Sequence, residues 1–156
     1  MWRSATASAT LVALLSCVSP DEPSTEIVVS DGWTRQIAPG QSATAVYLRI
    51  ANTGKGRDRL VDVQTAAGDA SLHATSSSDG VARMRPLADG VEVAGQSTVE
   101  LRPGGTHIMV TGLRQRPNPG DTIPLTLVFE RSGERAIAVR VVGAGDDEHA
   151  NHGMKM

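Results

Sequence analysis

Residues 123–142 read IPLTLVFERSGERAIAVRVV, and the order of apolar and polar positions in this stretch decides the fold class. Leu125, Leu127 and Phe129 recur at every second position; so do Ile137, Val139 and Val141, with Arg140 between two of them. Side chains alternate across a strand, so each trio shares one face and each run reads as a half-buried strand. Ser132-Gly133-Glu134 between the runs is turn chemistry. A helix would repeat its apolar positions every three to four residues, and no segment of the chain holds that period for three turns.

Moving outward, the same pattern extends back to residue 26. Short β-branched runs (EIVVSDGW, ATAVYLRIA, RLVDVQTA, ASLHAT, VARMRPL, VEVA, STVEL, THIMVTG) are broken by Pro39-Gly40, Asn52-Thr53-Gly54, Gly68-Asp69, Asp79-Gly80, Asp89-Gly90, Pro103-Gly104-Gly105 and Asn118-Pro119-Gly120-Asp121. Turns spaced about 8–15 residues apart predict an all-β antiparallel sandwich or barrel. Trp33 and Tyr47 read as core packing.

Both ends differ from this middle. Residues 1–16 read as a signal peptide of lipoprotein type: Arg3 is its single charge, ATASATLVALL its apolar segment, too short to span a bilayer. Leu14-Leu15-Ser16-Cys17 resembles a bacterial lipobox, which makes Cys17 the candidate lipidation site, with ordinary secretion as the alternative. Either way the mature chain is expected in the bacterial cell envelope, on the periplasmic or extracytoplasmic side. Residues 17–25 read as a linker, 26–142 as the β domain, and 143–156 (GAGDDEHANHGMKM) as a flexible tail without β-branched residues.

Composition excludes several classes. Cys17 is the only cysteine, so no intramolecular disulfide and no Cys-x-x-Cys zinc cage exists. Net charge is −2 and no basic run occurs, so nucleic-acid binding is not indicated. No Ser-His-acid arrangement or phosphate-binding glycine loop points to an enzyme. Nothing indicates an oligomer, and a monomer is expected.

The histidines and methionines carry the chemistry. Apart from Met1, all of them fall into two clusters: His73, Met84, His107 and Met109, then His149, His152, Met154 and Met156. In Thr106-His107-Ile108-Met109-Val110, strand alternation sends His107 and Met109 to one face and leaves Ile108 and Val110 for the core. Asp79-Gly80 is a strong hairpin signal. A two-residue loop there pairs residue 75 with 84 and places Met84 diagonally from His73; a four-residue loop places them opposite each other. Either puts both on one face, whereas a three-residue loop separates them. A methionine in a β core is ordinarily packing, but alternation reserves the core for Ile108 and Val110. The four side chains together form a candidate N2S2 site. Thioether sulfur is soft and uncharged, and it favours Cu(I).

The spacing is His-x10-Met-x22-His-x-Met, within PGGTHIMVTGL (103–113) and followed by GDTIPLTLVFE (120–130). With DGWTRQIAPGQSATAVYLRIANTG (31–54), this resembles the periplasmic copper chaperones of the PCuAC family over about residues 26–142. The resemblance implies a cupredoxin-like Greek-key β-sandwich that binds Cu(I) near its surface through His73, Met84, His107 and Met109. It also implies delivery to a copper-accepting protein such as subunit II of cytochrome c oxidase, at the CuA centre. One departure is that the positions after His73, often rich in Met in the family, are Ala74, Thr75 and Ser76. A blue-copper electron carrier would need a cysteine ligand, and the domain has none. In the tail, His149 and His152 beside Asp146, Asp147 and Glu148 suit Cu(II), and Met154 and Met156 suit Cu(I), giving a candidate second site. Copper sequestration without a dedicated acceptor, and a β-sandwich interaction module without metal, are the competing readings.

Overall fold

The computed structural model describes residues 22–145, and among these there is no helix. Ten strands follow one another: β1 (Ile27–Arg35), β2 (Thr44–Asn52), β3 (Asp58–Gln64), β4 (Asp69–Ser78), β5 (Val81–Pro86), β6 (Val91–Val93), β7 (Ser97–Leu101), β8 (Thr106–Thr111), β9 (Thr122–Phe129) and β10 (Gly133–Val142). Each coincides with one of the β-branched runs, because period-two alternation with turn residues at both ends specifies a strand wherever one face is buried.

The strands form one hydrogen-bonded path, β5-β4-β8-β2-β1-β10-β9-β3-β6, with β7 also on β2. All pairings are antiparallel except β1 with β10. The sheet curls over so that β3 meets β4 and β6 meets β7. Its concave face encloses one apolar cluster built from Val46, Leu48, Ile50, Leu60, Leu72, Ile108, Val110, Leu125, Leu127, Phe129, Val139 and their neighbours. At about 25 cal/mol per Å² of buried apolar surface, this aliphatic cluster is the main stabilising term. The architecture is the expected cupredoxin-like Greek-key sandwich.

Strand β1 departs from simple alternation. Its pairing with β2 shifts between Ser30 and Trp33, so that Asp31 and Gly32 together face Leu48, a β-bulge. Asp31 has φ of 54°, and a Cβ on Gly32 would lie 2.9 Å from the Ile137 side chain. The extra residue reverses the parity of β1. Val29 opposes core Ile50, yet Trp33 opposes Tyr47, which points away from the core between Val46 and Leu48. Trp33 and Tyr47, expected as core packing, do pack, and Trp33 is buried, but they stand outside the main apolar cluster. Their rings pack on each other on the convex face, centroids 4.7 Å apart.

The end of β2, the start of β3 and the β9–β10 turn are laced by buried polar side chains. The Asn52 amide accepts from the backbone N–H groups of Glu26 and Gly54 and donates to the Gly56 carbonyl. The Asp58 carboxylate accepts from the backbone of Arg59, Arg131 and Ser132 and from the Ser132 hydroxyl. Burial alone would raise the Asp58 pKa. The Ser132 hydroxyl and these N–H donors outweigh it and hold the carboxyl below its ordinary value.

Candidate metal centre

The convex face of β4 and β8 gathers the side chains singled out by spacing. β4 and β8 pair antiparallel with His73 directly opposite His107 and Ser71 directly opposite Met109. Between them, Leu72 opposes Ile108 on the concave face, where both are buried. Alternation thus anchors the two strands in the core and frees His73, His107 and Met109 for the other face. The imidazole rings lie nearly parallel, tilted by 24° with centroids 6.1 Å apart. The direct partners of Met109 across the strands are small, Ser71 on β4 and Ala45 on β2.

Met84 comes from a different kind of support. Asp79 and Gly80, with φ of 53° and 75°, form the two-residue turn, and Ser78 pairs with Val81 and Thr75 with Met84. Both central residues at positive φ are what a tight hairpin of this twist requires. Met84 therefore sits diagonal to His73, whose direct partner is Pro86. The β4–β8 ladder ends at Ala74 and Thr106, so residues 75–84 continue as a two-stranded arm. Every residue of β5 is exposed, and Met84 keeps 53 % of its surface in solvent. Arg83 and Arg85 lie on the opposite face of β5 from Met84.

Hydrogen bonds hold both imidazoles by one nitrogen each. His107 Nδ1 is 3.0 Å from the Gly105 carbonyl, in the turn that leads into β8. His73 Nε2 is 3.0 Å from the Ser71 hydroxyl. His73 Nδ1 is buried and has no partner, the sole such side-chain atom among the described residues. Buried polar atoms are nearly always satisfied, so an orphan marks a place where a partner belongs. His107 is only 5 % exposed, less than a surface site suggests, because its ring is covered by its neighbours on either side. One is His73; the other is Tyr47, with ring centroid 6.4 Å away. Trp33, Tyr47, His107 and His73 thus form one row of rings across β1, β2, β8 and β4. Burial raises the Tyr47 phenol above its ordinary pKa, while Arg35 pulls it the other way.

The donors that strand parity places on this face are an unusual set. Among the described residues no group of three or more His, Cys, Asp or Glu side chains surrounds a metal-sized space. A calcium or zinc cage of oxygen, thiolate and multiple imidazoles is therefore absent from residues 22–145. Next to the His pair stand neutral thioethers. Two residues of the site escaped sequence reading. Ser71 shares the face of His73 by parity alone, and Tyr47 lies opposite in parity to Val46 and Leu48. Trp33 could be placed only by reading Asp31-Gly32 as a bulge. Cys17 and the tail residues His149, His152, Met154 and Met156 lie outside the described residues.

Known proteins share this arrangement of strands. The chain is similar to the copper-bound PCuAC domain from PmoF2, with a TM-score of 0.63 and 24% identity over 75% of this chain and 92% of that domain. It is equally similar to the apo PCuAC domain from PmoF1, with a TM-score of 0.63 and 25% identity over 75% and 93%. The Cu(I) form of DR1885 from Deinococcus radiodurans gives a TM-score of 0.59 and 24% identity over 74% and 76%. In sequence, the putative lipoprotein Lxx21020 of Leifsonia xyli is 31% identical over 148 residues, 89% of this chain and 88% of that protein. The uncharacterized protein RP573 of Rickettsia prowazekii is 27% identical over 101 residues, 64% and 56% of the two chains. The pattern of the putative lipoproteins described as LpqE-like matches residues 27–141, from the first residue of β1 to the last residue but one of β10. On that match, together with the shared fold, the chain belongs to the LpqE-like family of putative lipoproteins, within the PCuAC group.

Proposed function

We propose that this protein is an extracytoplasmic carrier of Cu(I), bound by His73, Met84, His107 and Met109 and passed to an acceptor protein. The observation that carries the reading is the stacked His73–His107 pair with an orphaned buried imidazole nitrogen, flanked by Met109 on the same sheet face and Met84 on the adjoining arm. Two neutral imidazoles and two neutral thioethers suit a soft monovalent ion and leave Cu(II) or Zn(II) without a charged ligand. The copper-bound PmoF2 domain and the Cu(I) form of DR1885 have the same fold as this chain, which supports copper as the cargo.

The graded exposure of the donors suggests how release proceeds. Met84 is the most exposed and His107 the most buried. An approaching acceptor ligand displaces the Met84 thioether first, then Met109, while the imidazoles hold the ion until it is shared. The acceptor in this proposal is a copper protein of the cell envelope, and by family resemblance the CuA site of cytochrome c oxidase subunit II. Lipidation at Cys17 would tether the domain to a membrane, in keeping with the lipoprotein description of its relatives. His149, His152, Met154 and Met156 are proposed as an auxiliary copper-gathering segment.

The test is Cu(I) competition against a chelator of known affinity. Met109→Ala should weaken Cu(I) binding at least tenfold, the lower end for losing support at a metal site, with the β-sheet circular dichroism unchanged. Unaltered affinity in that variant would remove the assignment.

A further inference from the structure

Each imidazole of the pair is fixed by a single hydrogen bond, and the two bonds use different ring nitrogens. A neutral imidazole carries one N–H and one lone pair. The Gly105 carbonyl can only accept, so His107 Nδ1, 3.0 Å away, carries the proton and Nε2 keeps the lone pair. At His73 the partner is the Ser71 hydroxyl, 3.0 Å from Nε2, and a hydroxyl can donate or accept. The other nitrogen decides between these. His73 Nδ1 is buried without any partner. Either form leaves one buried group unpaired, but an orphaned buried N–H is the rarer of the two, and only the lone pair can be satisfied by an incoming cation. The proton therefore belongs on Nε2, donated to Ser71 Oγ, and the Nδ1 lone pair is left open. Metal-bound histidines commonly have their second nitrogen fixed in this way by a neighbouring acceptor.

We propose that Ser71 is a positioning residue of the metal centre: it holds His73 in the Nε2–H tautomer, so that His73 ligates through Nδ1 while His107 ligates through Nε2. The proposal rests on the Cu(I) reading above for the identity of the ion, but the tautomer assignment stands on the metal-free geometry alone. Ser71 is suited to the task by its place in the sheet. It shares a face with His73 two residues along β4 and lies directly across from Met109. One small exposed side chain thus orients the imidazole without placing bulk opposite Met109. A long or aromatic side chain there would crowd Met109, and one without a hydroxyl would let the ring rotate or change tautomer.

The experiment uses the full chain labelled with 15N-histidine, with long-range 1H–15N spectra recorded before and after Cu(I) addition. His73 is assigned by its disappearance in His73→Gln. The metal-free wild type should show His73 protonated at Nε2 and His107 protonated at Nδ1. Cu(I) should then move His73 Nδ1 and His107 Nε2. Ser71→Ala should shift the His73 tautomer balance and lower Cu(I) affinity about tenfold, and Ser71→Thr, which keeps a hydroxyl, should restore both. Protonation of His73 at Nδ1 in the metal-free wild type overturns the proposal, as does a Ser71→Ala protein with unchanged tautomer and affinity. Cu(I) bound with His73 Nε2 as the shifted nitrogen overturns it while leaving the copper carrier intact. A wild type that takes up no Cu(I) overturns both.

Discussion

At the loop end of the sandwich, Asn52 and Asp58 are buried and saturated; on the β4–β8 face, His73 and His107 are sheltered and half satisfied. Asn52 uses its carbonyl for two backbone donors and its amide for the Gly56 carbonyl, and Asp58 receives donors from Arg59, Arg131 and Ser132. Each imidazole, in contrast, spends one nitrogen on the protein and keeps the other free. Buried polar groups that exist to fix loops find all their partners within the chain. Those that exist to hold a ligand carry a deficit that the ligand makes good. The two regions therefore answer to different perturbations, one in stability and one in binding.

The largest expected effect is at the saturated end. Asp58→Ala strands two N–H donors and a hydroxyl of the β9–β10 turn together with the Arg59 N–H, and should cost about 3 kcal/mol in urea unfolding. The remaining folded protein should bind Cu(I) with wild-type affinity. The pH dependence has a definite sign. The folded pKa of Asp58 lies below its ordinary value of 3.8, so the carboxylate's contribution is complete above that value. It is lost as pH falls through the lowered folded value. Wild type minus Asp58→Asn stability should therefore shrink on acidification below 3.8 and stay level above it. A difference that grew with acid would mean the carboxylate is not held in its charged form.

The opposite pattern is expected at His73. His73→Phe keeps a ring against His107 but removes both nitrogens, including the one without a partner. Losing one of four donors should weaken Cu(I) binding about 100-fold, or about 2.7 kcal/mol. Stability should change by less than about 1 kcal/mol, because the lost Ser71 hydrogen bond is offset by the removal of an unsatisfied buried atom. A strong loss of stability with little loss of copper would place His73 with Asn52 and Asp58 as a structural group.

How much of this contrast the sequence discloses depends on how local its cause is. The ten strands were legible because each has its own alternation and its own turn residues, and the shared face of His107 and Met109 follows from parity within five residues. Asp79-Gly80 marked the β4–β5 hairpin and put Met84 on the face of His73 for either even-length loop, but the choice of the two-residue loop came only with the structure. The parity of Trp33 was not legible, because one bulge residue reverses it and nothing in the alternation of β1 announces the reversal. The opposition of His73 and His107 was not legible either. It depends on β8 inserting between β4 and β2, a pairing set by how the whole sheet closes around its core. The Ser71–His73 bond and the orphaned nitrogen depend on side-chain rotamers and burial, which emerge only after that closure.

The smallest effect should fall on Met84, and it sharpens the comparison within the site itself. Met109 stands on a strand paired on both sides, by β4 and β2, so its thioether is ordered before the ion arrives. Met84 stands on the exposed arm, paired only with β4, and must be ordered when the ion binds. Ordering a methionine side chain costs up to about 1.5–2 kcal/mol, which offsets much of what its sulfur contributes. Met84→Ala should therefore weaken Cu(I) binding by only about fivefold or less, against tenfold or more for Met109→Ala. The kinetic effect should be the more distinct one. Wild-type protein should surrender copper to a chelator by a path that begins at Met84, so the variant should transfer copper faster at equal chelator concentration. If Met84→Ala instead costs as much affinity as Met109→Ala, with no change in transfer rate, then the arm is as rigid a part of the centre as the sheet.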